Sequence, residues 1–332
     1  MAVTGAVTGA ATGAKAADFF VCDIIGAIPK DDMASMEHPL FSLGTRPDLR
    51  ILRYAHNDTR IEVTPSVRGL ATIHDKDILI FCISQLMAAL NAGRPVARVV
   101  QMCAHDLLIA TRRDTSGDGY QRLRDAFERL AGTRISTNQV TGGLEVTSGF
   151  GLIEGWEISR KSRGGRMISV SVSLSDWLFR AVLAKSVLTL SREYFSLRKP
   201  LERRVYELAR KHCGRQDSWR VSVDTLLKKS GSASPRRVFR KMLRDMVAED
   251  HLPDYTMAEE PGDLIRFAQR DGVVDIAGPL LHSDTLEAAR NLHPGADVHA
   301  LVAQWQAVWR GTGAPRLRAP DRAFLGWLAK HG

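Results

Sequence analysis

Cysteine is scarce: Cys22, Cys82, Cys103 and Cys213 lie far apart in 332 residues, with no CxxC pair. That argues against a zinc finger or a redox motif. Cys82 and Cys103 sit in apolar or helical patterns and are expected as buried thiols in a reducing cytosol. No apolar run reaches 18 residues, and no charged N-terminal region leads into an apolar one. Neither a membrane span nor Sec export is therefore expected. The pattern GxxxxGK followed by Ser or Thr is missing, which removes a P-loop ATPase. Gly13-Ala14-Lys15 is only a fragment in a low-complexity tail, and Gly149, Gly151 and Gly155 have the wrong spacing for a dinucleotide fingerprint. No HxH stands near a tyrosine, as a metal-dependent nicking enzyme needs. His212-Cys213-Gly214-Arg215 does match the HxxR of tyrosine recombinases. His251 and Tyr255 follow four residues apart, too close for that pattern, and polar residues before a Gly helix stop explain the match better. His105-Asp106 reads as a helix cap rather than a dyad. The chain is thus expected to be no enzyme, with no catalytic residue, no cofactor and no metal.

What is present is positive charge in one place. The composition, 44% hydrophobic and 25% charged, is that of a globular chain long enough for two domains. The formal net charge is +9. Residues 1–60 carry a net −1 and residues 271–332 a net zero, so the excess of +10 lies in 61–270. This points to a central region with an anionic partner, and nucleic acid is the expected one.

The chain order is as follows. Residues 1–17 are a small-residue near-repeat, expected to be disordered. Residues 18–49, broken by Pro29, Pro39 and Pro47, read as an irregular arm laid over a domain. Residues 50–67 read as a strand pair around His56-Asn57-Asp58. Asp75–Asn91 is a helix, Val96–Val100 a strand, and Ala104–Arg112 a second helix. A Gly117/Gly119 loop then leads to a third helix, Tyr120–Ala131. Strands follow at Arg134–Val140, Leu144–Ser159 and Met167–Leu174, with turns at Gly142-Gly143 and at Arg160–Arg166. Helix, strand, helix, helix, hairpin is the winged-helix order. After a helical connector at Asp176–Leu190 it repeats. Lys199–Cys213 is a helix, Trp219–Val223 a strand, Val223–Ser230 a helix capped by Ser222 or Asp224, and Gly231–Ala233 a turn. The helix of residues 234–247 and a hairpin of Asp254–Met257 with Leu264–Phe267 complete the second copy. The expected class is therefore α+β, with two tandem winged-helix domains at 50–175 and 176–270. A small helical extension at 271–332 carries Trp305, Trp309, Phe324 and Trp327.

The stretch 234–247 sits at the third-helix position of the second copy. Its apolar residues, 238, 239, 242, 243, 246 and 247, form one stripe, and Arg236, Arg237, Arg240, Lys241 and Arg244 fall opposite. Ser234 before Pro235 reads as a capping hydroxyl, and the backbone of Ser234 and the first turn would also offer free N–H groups to a phosphate. A solvated amphipathic face is the bland alternative. Its position in the copy favours DNA.

Phe19–Ile24, Pro29–Phe41, Thr72–Ile80 and Ala104–Leu108 resemble replication initiator protein A of proteobacterial plasmids, a likeness extending over about 18–330. The resemblance implies tandem winged-helix domains that bind repeated origin sites (iterons) in double-stranded DNA and promote local strand opening. It also implies recruitment of the host initiator and replicative helicase, plasmid copy control, and repression of the protein's own promoter as a dimer. It places the protein in the cytoplasm with its plasmid, away from any membrane. The pattern of Trp305, Trp309, Gly313 and Asp321–Trp327 is similar to the C-terminal motif of DnaT-like primosomal proteins, implying single-stranded DNA as a partner. Packing of two helices through those aromatics is an equal alternative.

For the second domain, Arg236, Arg237, Arg240 and Lys241 are the base-reading candidates, because Arg forks to guanine O6 and N7. Arg244, Lys228 and Lys229 are read as phosphate contacts. In the first domain the candidates are Arg112, Arg113, Gln121, Arg122 and Arg124, with a dimer-facing or solvated role equally open. The turn residues Arg160, Lys161, Arg163 and Arg166 suit a phosphate or minor-groove clamp. A transcriptional repressor with two winged helices is the alternative function.

Overall fold

The protein is described by a computed structural model. It covers residues 19–24, 26–56, 59–141, 144–160, 167–214, 216–270, 281, 283–293, 298–312, 317 and 319–331. The tail at 1–17 and the turns 57–58, 142–143 and 161–166 fall outside these residues. The chain divides into two compact units, 1–267 and 268–332.

The arm of the first unit comprises β1 (Phe20–Val21), β2 (Lys30–Asp32) and α1 (Met33–Glu37). It is woven in rather than laid over: Asp31, Asp32, Met36, Leu40 and Phe41 are all buried. A hairpin follows, β3 (Leu52–His56) with β4 (Thr59–Thr64), Tyr54 opposite Ile61. Next come α2 (Lys76–Asn91), β5 (Val99–Cys103), α3 (Ala104–Ala110) and α4 (Gly117–Gly132). α2 is buried nearly all round. Leu79, Cys82 and Leu86 pack into one core while Ile80 packs into another with Met36 and Tyr206. The strand expected at 96–100 starts three residues later, where a neighbour first runs alongside it. Cys103 thereby becomes the last strand residue and is exposed, not buried. Gly117 and Gly119 form the first turn of α4 instead of a loop. Asp114 folds back so closely that a Cβ at 119 would lie 1.9 Å from its carbonyl oxygen.

Four strands follow: β6 (Arg134–Thr141), β7 (Leu144–Gly151), β8 (Ile153–Arg160) and β9 (Met167–Leu174). The single strand expected over 144–159 is thus two. They part at Gly151, where a Cβ would meet the Ile153 carbonyl oxygen at 2.8 Å. β7 joins a sheet of order β3-β4-β6-β7, and β8 joins one of order β1-β5-β9-β8. The expected helical connector is α5 (Asp176–Leu183) and then β10 (Val187–Thr189), which pairs with β2 of the arm. Lys185, at φ 54, makes the bend between them.

After a 3-10 turn at Arg192–Ser196 come α6 (Pro200–Cys213), β11 (Ser218–Ser222), α7 (Val223–Ser230) and α8 (Arg236–Glu249). The hairpin β12 (Tyr255–Glu260) and β13 (Leu264–Gln269) closes the series. Helix, strand, helix, helix and hairpin therefore occur twice. The orders β5-β9-β8 and β11-β13-β12 agree, with the second hairpin strand in the middle each time. β6 and β7 are an extra hairpin in the first copy. The second copy closes on Val205, Leu208, Leu226, Phe239, Leu243 and Phe267.

The second unit holds α9 (Ser283–Leu292), α10 (Val298–Gly311) and α11 (Pro320–His331). Ala289, Val298, Trp305, Phe324 and Leu328 form its core. Trp305 and Phe324 meet with ring centroids 5.4 Å apart. Trp305, Trp309 and Phe324 are buried, so helix packing uses their faces, and only Trp327 keeps partial exposure.

Candidate nucleic-acid interface

The interface is built around α7, the turn 231–235 and α8. Ser222 caps α7 by accepting from Thr225 N at 3.2 Å. Gly231 ends it at φ 71, where a Cβ would lie 2.7 Å from Pro39 Cβ, so both the conformation and the space require glycine. α8 begins at Arg236 with Pro235, not Ser234, as its N-cap residue, and makes no side-chain cap bond. The N–H of Ser234 instead donates to the Ser232 hydroxyl at 3.2 Å. Only Phe239, Leu243 and Met246 of the expected stripe are buried; Val238 and Met242 are exposed. The apolar stripe is therefore narrow and leaves most of the helix to solvent.

The basic residues of α8 fall in two rows at helical spacing. Arg236, Arg240 and Arg244 face the β12–β13 hairpin and find carboxylates there. Asp263, in the hairpin turn, accepts from both Arg236 and Arg240. Asp224 of α7 also accepts from Arg236, at 2.5 Å. Glu259 of β12 takes Arg244 in a fork at 2.8 and 2.9 Å. These hydrogen bonds hold the Asp224 and Glu259 carboxyls below the usual carboxylate range. In the second row Lys241 pairs with Asp245 at 3.2 Å, and Arg237 is exposed with no ion pair among the described residues. Lys228 is exposed and lines a shallow cleft of about 410 Å³ with Arg50, Arg53, Tyr54, Gly231 and Ser232. Lys229 is instead turned inward onto Glu37.

The first-copy candidates are more tied down. Gln121, Arg122 and Arg124 are exposed on α4. Gln121 donates to Asp125 at 3.0 Å, Arg122 pairs with Asp114 at 2.7 Å and Arg124 with Glu128 at 3.5 Å. Arg112, at φ 53, pairs with Glu193 at 2.8 Å. Arg113 points into the fold, donating to the His74 carbonyl and lying 3.5 Å from Asp77. That geometry suits a structural bond better than a DNA contact. Arg160 ends β8 opposite Met167, while Lys161, Arg163 and Arg166 lie outside the described residues.

A buried charged seam joins the two copies, and it escapes the sequence reading. Lys76 of α2 lies 2.5 Å from Asp31 and 3.1 Å from Glu207, all three fully buried. Tyr194 donates to Glu207 at 2.7 Å. Arg203 pairs with Asp77 at 2.5 Å. Arg204 donates to the carbonyls of Ser35 and Met36 at 3.0 Å and pairs with Glu207 at 3.2 Å. Burial raises the Asp31 and Asp77 carboxyls, and it works against the Lys76 ammonium, which Asp31 and Glu207 more than restore. The sequence does carry one signal: Arg204 and Glu207 flank the inward Val205 and Leu208.

The model of the family described as replication initiator protein A matches residues 30–257. The chain belongs to the replication initiator protein A family. The match runs from β2 of the arm through the first copy and, in the second copy, through all of α8 to the start of β12. A protein of Wigglesworthia glossinidia brevipalpis that carries a replication-protein name is 36% identical over 261 residues, covering 77% of this initiator and 94% of the relative. Two crystal structures of domains 2 and 3 of RctB share the fold. One has a TM-score of 0.54 at 15% identity, covering 72% of this chain and 98% of that one. The other has a TM-score of 0.52 at 14% identity, covering 71% and 97%. Among the described residues no helix of this initiator is long and apolar enough to cross a membrane.

Proposed function

We propose that this initiator binds repeated origin sites in duplex DNA through two winged-helix domains and opens the strands nearby. The reading continues with recruitment of the host initiator and replicative helicase, and with repression of its own promoter as a dimer. The single observation that carries DNA binding is α8: an exposed basic helix at the third-helix position, within a family that initiates replication. Arg236, Arg237, Arg240 and Lys241 serve as base readers, and Lys228 and Arg244 as phosphate contacts. In the first copy Gln121, Arg122 and Arg124 form the corresponding surface, with Arg112 beside it. The turn after Arg160 acts as a backbone clamp. Arg113 and Lys229, turned onto the His74 carbonyl and Glu37, serve the fold rather than the DNA. Opening needs no catalytic side chain, because binding to several sites and deforming the duplex supply the free energy. A single-strand contact from the second unit would rest on Trp327. The protein works in the cytoplasm, with its plasmid.

The test has two arms. Purified protein is footprinted on the DNA flanking its gene, and the gene with that DNA is placed on a plasmid lacking another origin. Protection of repeated sites together with plasmid maintenance is expected. Protection of one inverted repeat without maintenance supports the repressor reading and overturns initiation.

A further inference from the structure

We infer that Asp263, with Asp224 beside it, is a carboxylate clasp that sets the DNA specificity of α8, holding Arg236 and Arg240 for base edges and opposing phosphate contacts made without them. The inference rests on α8 reading duplex DNA. Asp263 stands in the hairpin turn Pro261-Gly262-Asp263 at φ 66, a left-handed conformation that Asp tolerates. Its carbonyl accepts from Val223 N at 3.0 Å, fixing the turn to the start of α7. The carboxylate is therefore anchored by backbone, and two guanidinium groups one helical turn apart converge on it.

Such a clasp contributes little to stability. The side chains of Arg236 and Arg240 remain 48% and 31% exposed, and exposed pairs are worth about 0–1 kcal/mol. Its effect on binding is larger. An arginine already neutralised by a carboxylate displaces fewer counterions from a phosphate backbone, which weakens random DNA binding. At a correct site the guanidinium exchanges the carboxylate for guanine O6 and N7, and the pre-set geometry is retained. The clasp thus penalises wrong sequences more than right ones. The Glu259–Arg244 pair lacks this property if Arg244 meets only phosphate.

The test compares a random 24-bp duplex with the best duplex selected by the native protein from a random pool, both by fluorescence anisotropy at 150 mM salt. Asp263→Asn keeps the left-handed backbone accessible. It should tighten binding to the random duplex about fivefold and steepen its salt slope by about 1, leaving the selected duplex unchanged or weaker. Asp224→Asn should shift the same ratio less, through Arg236 alone. Equal tightening on both duplexes, or no change on the random one, overturns the clasp. Thermal melting of each variant guards against misfolding, and Asp224→Asn, on a different element, gives an independent reading if Asp263→Asn melts early. Arg240→Ala separates the two claims. If it leaves both duplexes unaffected, α8 does not read DNA; if it weakens the selected duplex while Asp263→Asn leaves the ratio intact, only the clasp fails.

Discussion

The arginines of α6 and those of α8 meet the same partner chemistry with opposite consequences. Arg203 and Arg204 are 2% exposed and bonded to Asp77, Glu207 and backbone carbonyls between the two copies. Arg236 and Arg240 lie at the surface, bonded to carboxylates of the hairpin turn and α7. Inside, where water cannot replace a lost partner, a broken pair strands a charge. Outside, the pair exchanges readily with water, salt or a phosphate. The buried set therefore fixes how the two copies sit within their unit, and the exposed set is available for exchange with DNA.

The sharpest way to break this contrast is Lys76→Met. It leaves Asp31 and Glu207 facing each other in the core and should cost about 3–5 kcal/mol in urea unfolding. A loss under about 1 kcal/mol would place the seam on a par with surface pairs. The pH dependence comes next. Burial, then the charges of Arg203 and Arg113, push the His74 imidazole down to about 4. The unfolded chain takes up that proton near pH 6.5 and the folded one does not. Stability is thus full above about 6.5 and is lost as pH falls towards 4, by on the order of 3 kcal/mol. His74→Gln should flatten that part of the urea-midpoint profile, and an unchanged profile would refute the assignment. Arg240→Ala follows: about 1–3 kcal/mol lost at a selected duplex, with stability changed by less than about 1 kcal/mol. The smallest effect is expected for Arg244→Ala, which should weaken all duplexes alike and reduce the salt slope by less than about 1, because Glu259 already offsets part of its charge. A sequence-dependent loss there would make Arg244 a base reader.

Much of this contrast was half legible in the sequence. The second copy was readable because each element carries its own local signal: Gly214 stopping α6, Ser222 capping α7, and the 3.6-residue stripe of α8. The first copy was harder. Gly119 looks like a loop glycine until Asp114 is seen pressed against it, and the bend at Gly151 depends on two sheets that claim its flanks. The basic face of α8 was visible, but its counter-charges were not. Asp263 and Glu259 read as ordinary hairpin acids, since only folding brings them to Arg236, Arg240 and Arg244. The seam stayed hidden for the same reason, pairing Asp31, Lys76 and Glu207 across long stretches of chain.

The central claim, that α8 reads sequence in duplex DNA, is tested most directly by titrating native protein and Arg240→Ala against the selected and random duplexes at 150 mM salt. The native protein should favour the selected duplex by about a thousandfold or more, and Arg240→Ala should lose at least about fivefold of that preference while melting as the native protein does. Equal affinity of the native protein for both duplexes, or an undiminished preference in Arg240→Ala, would contradict it.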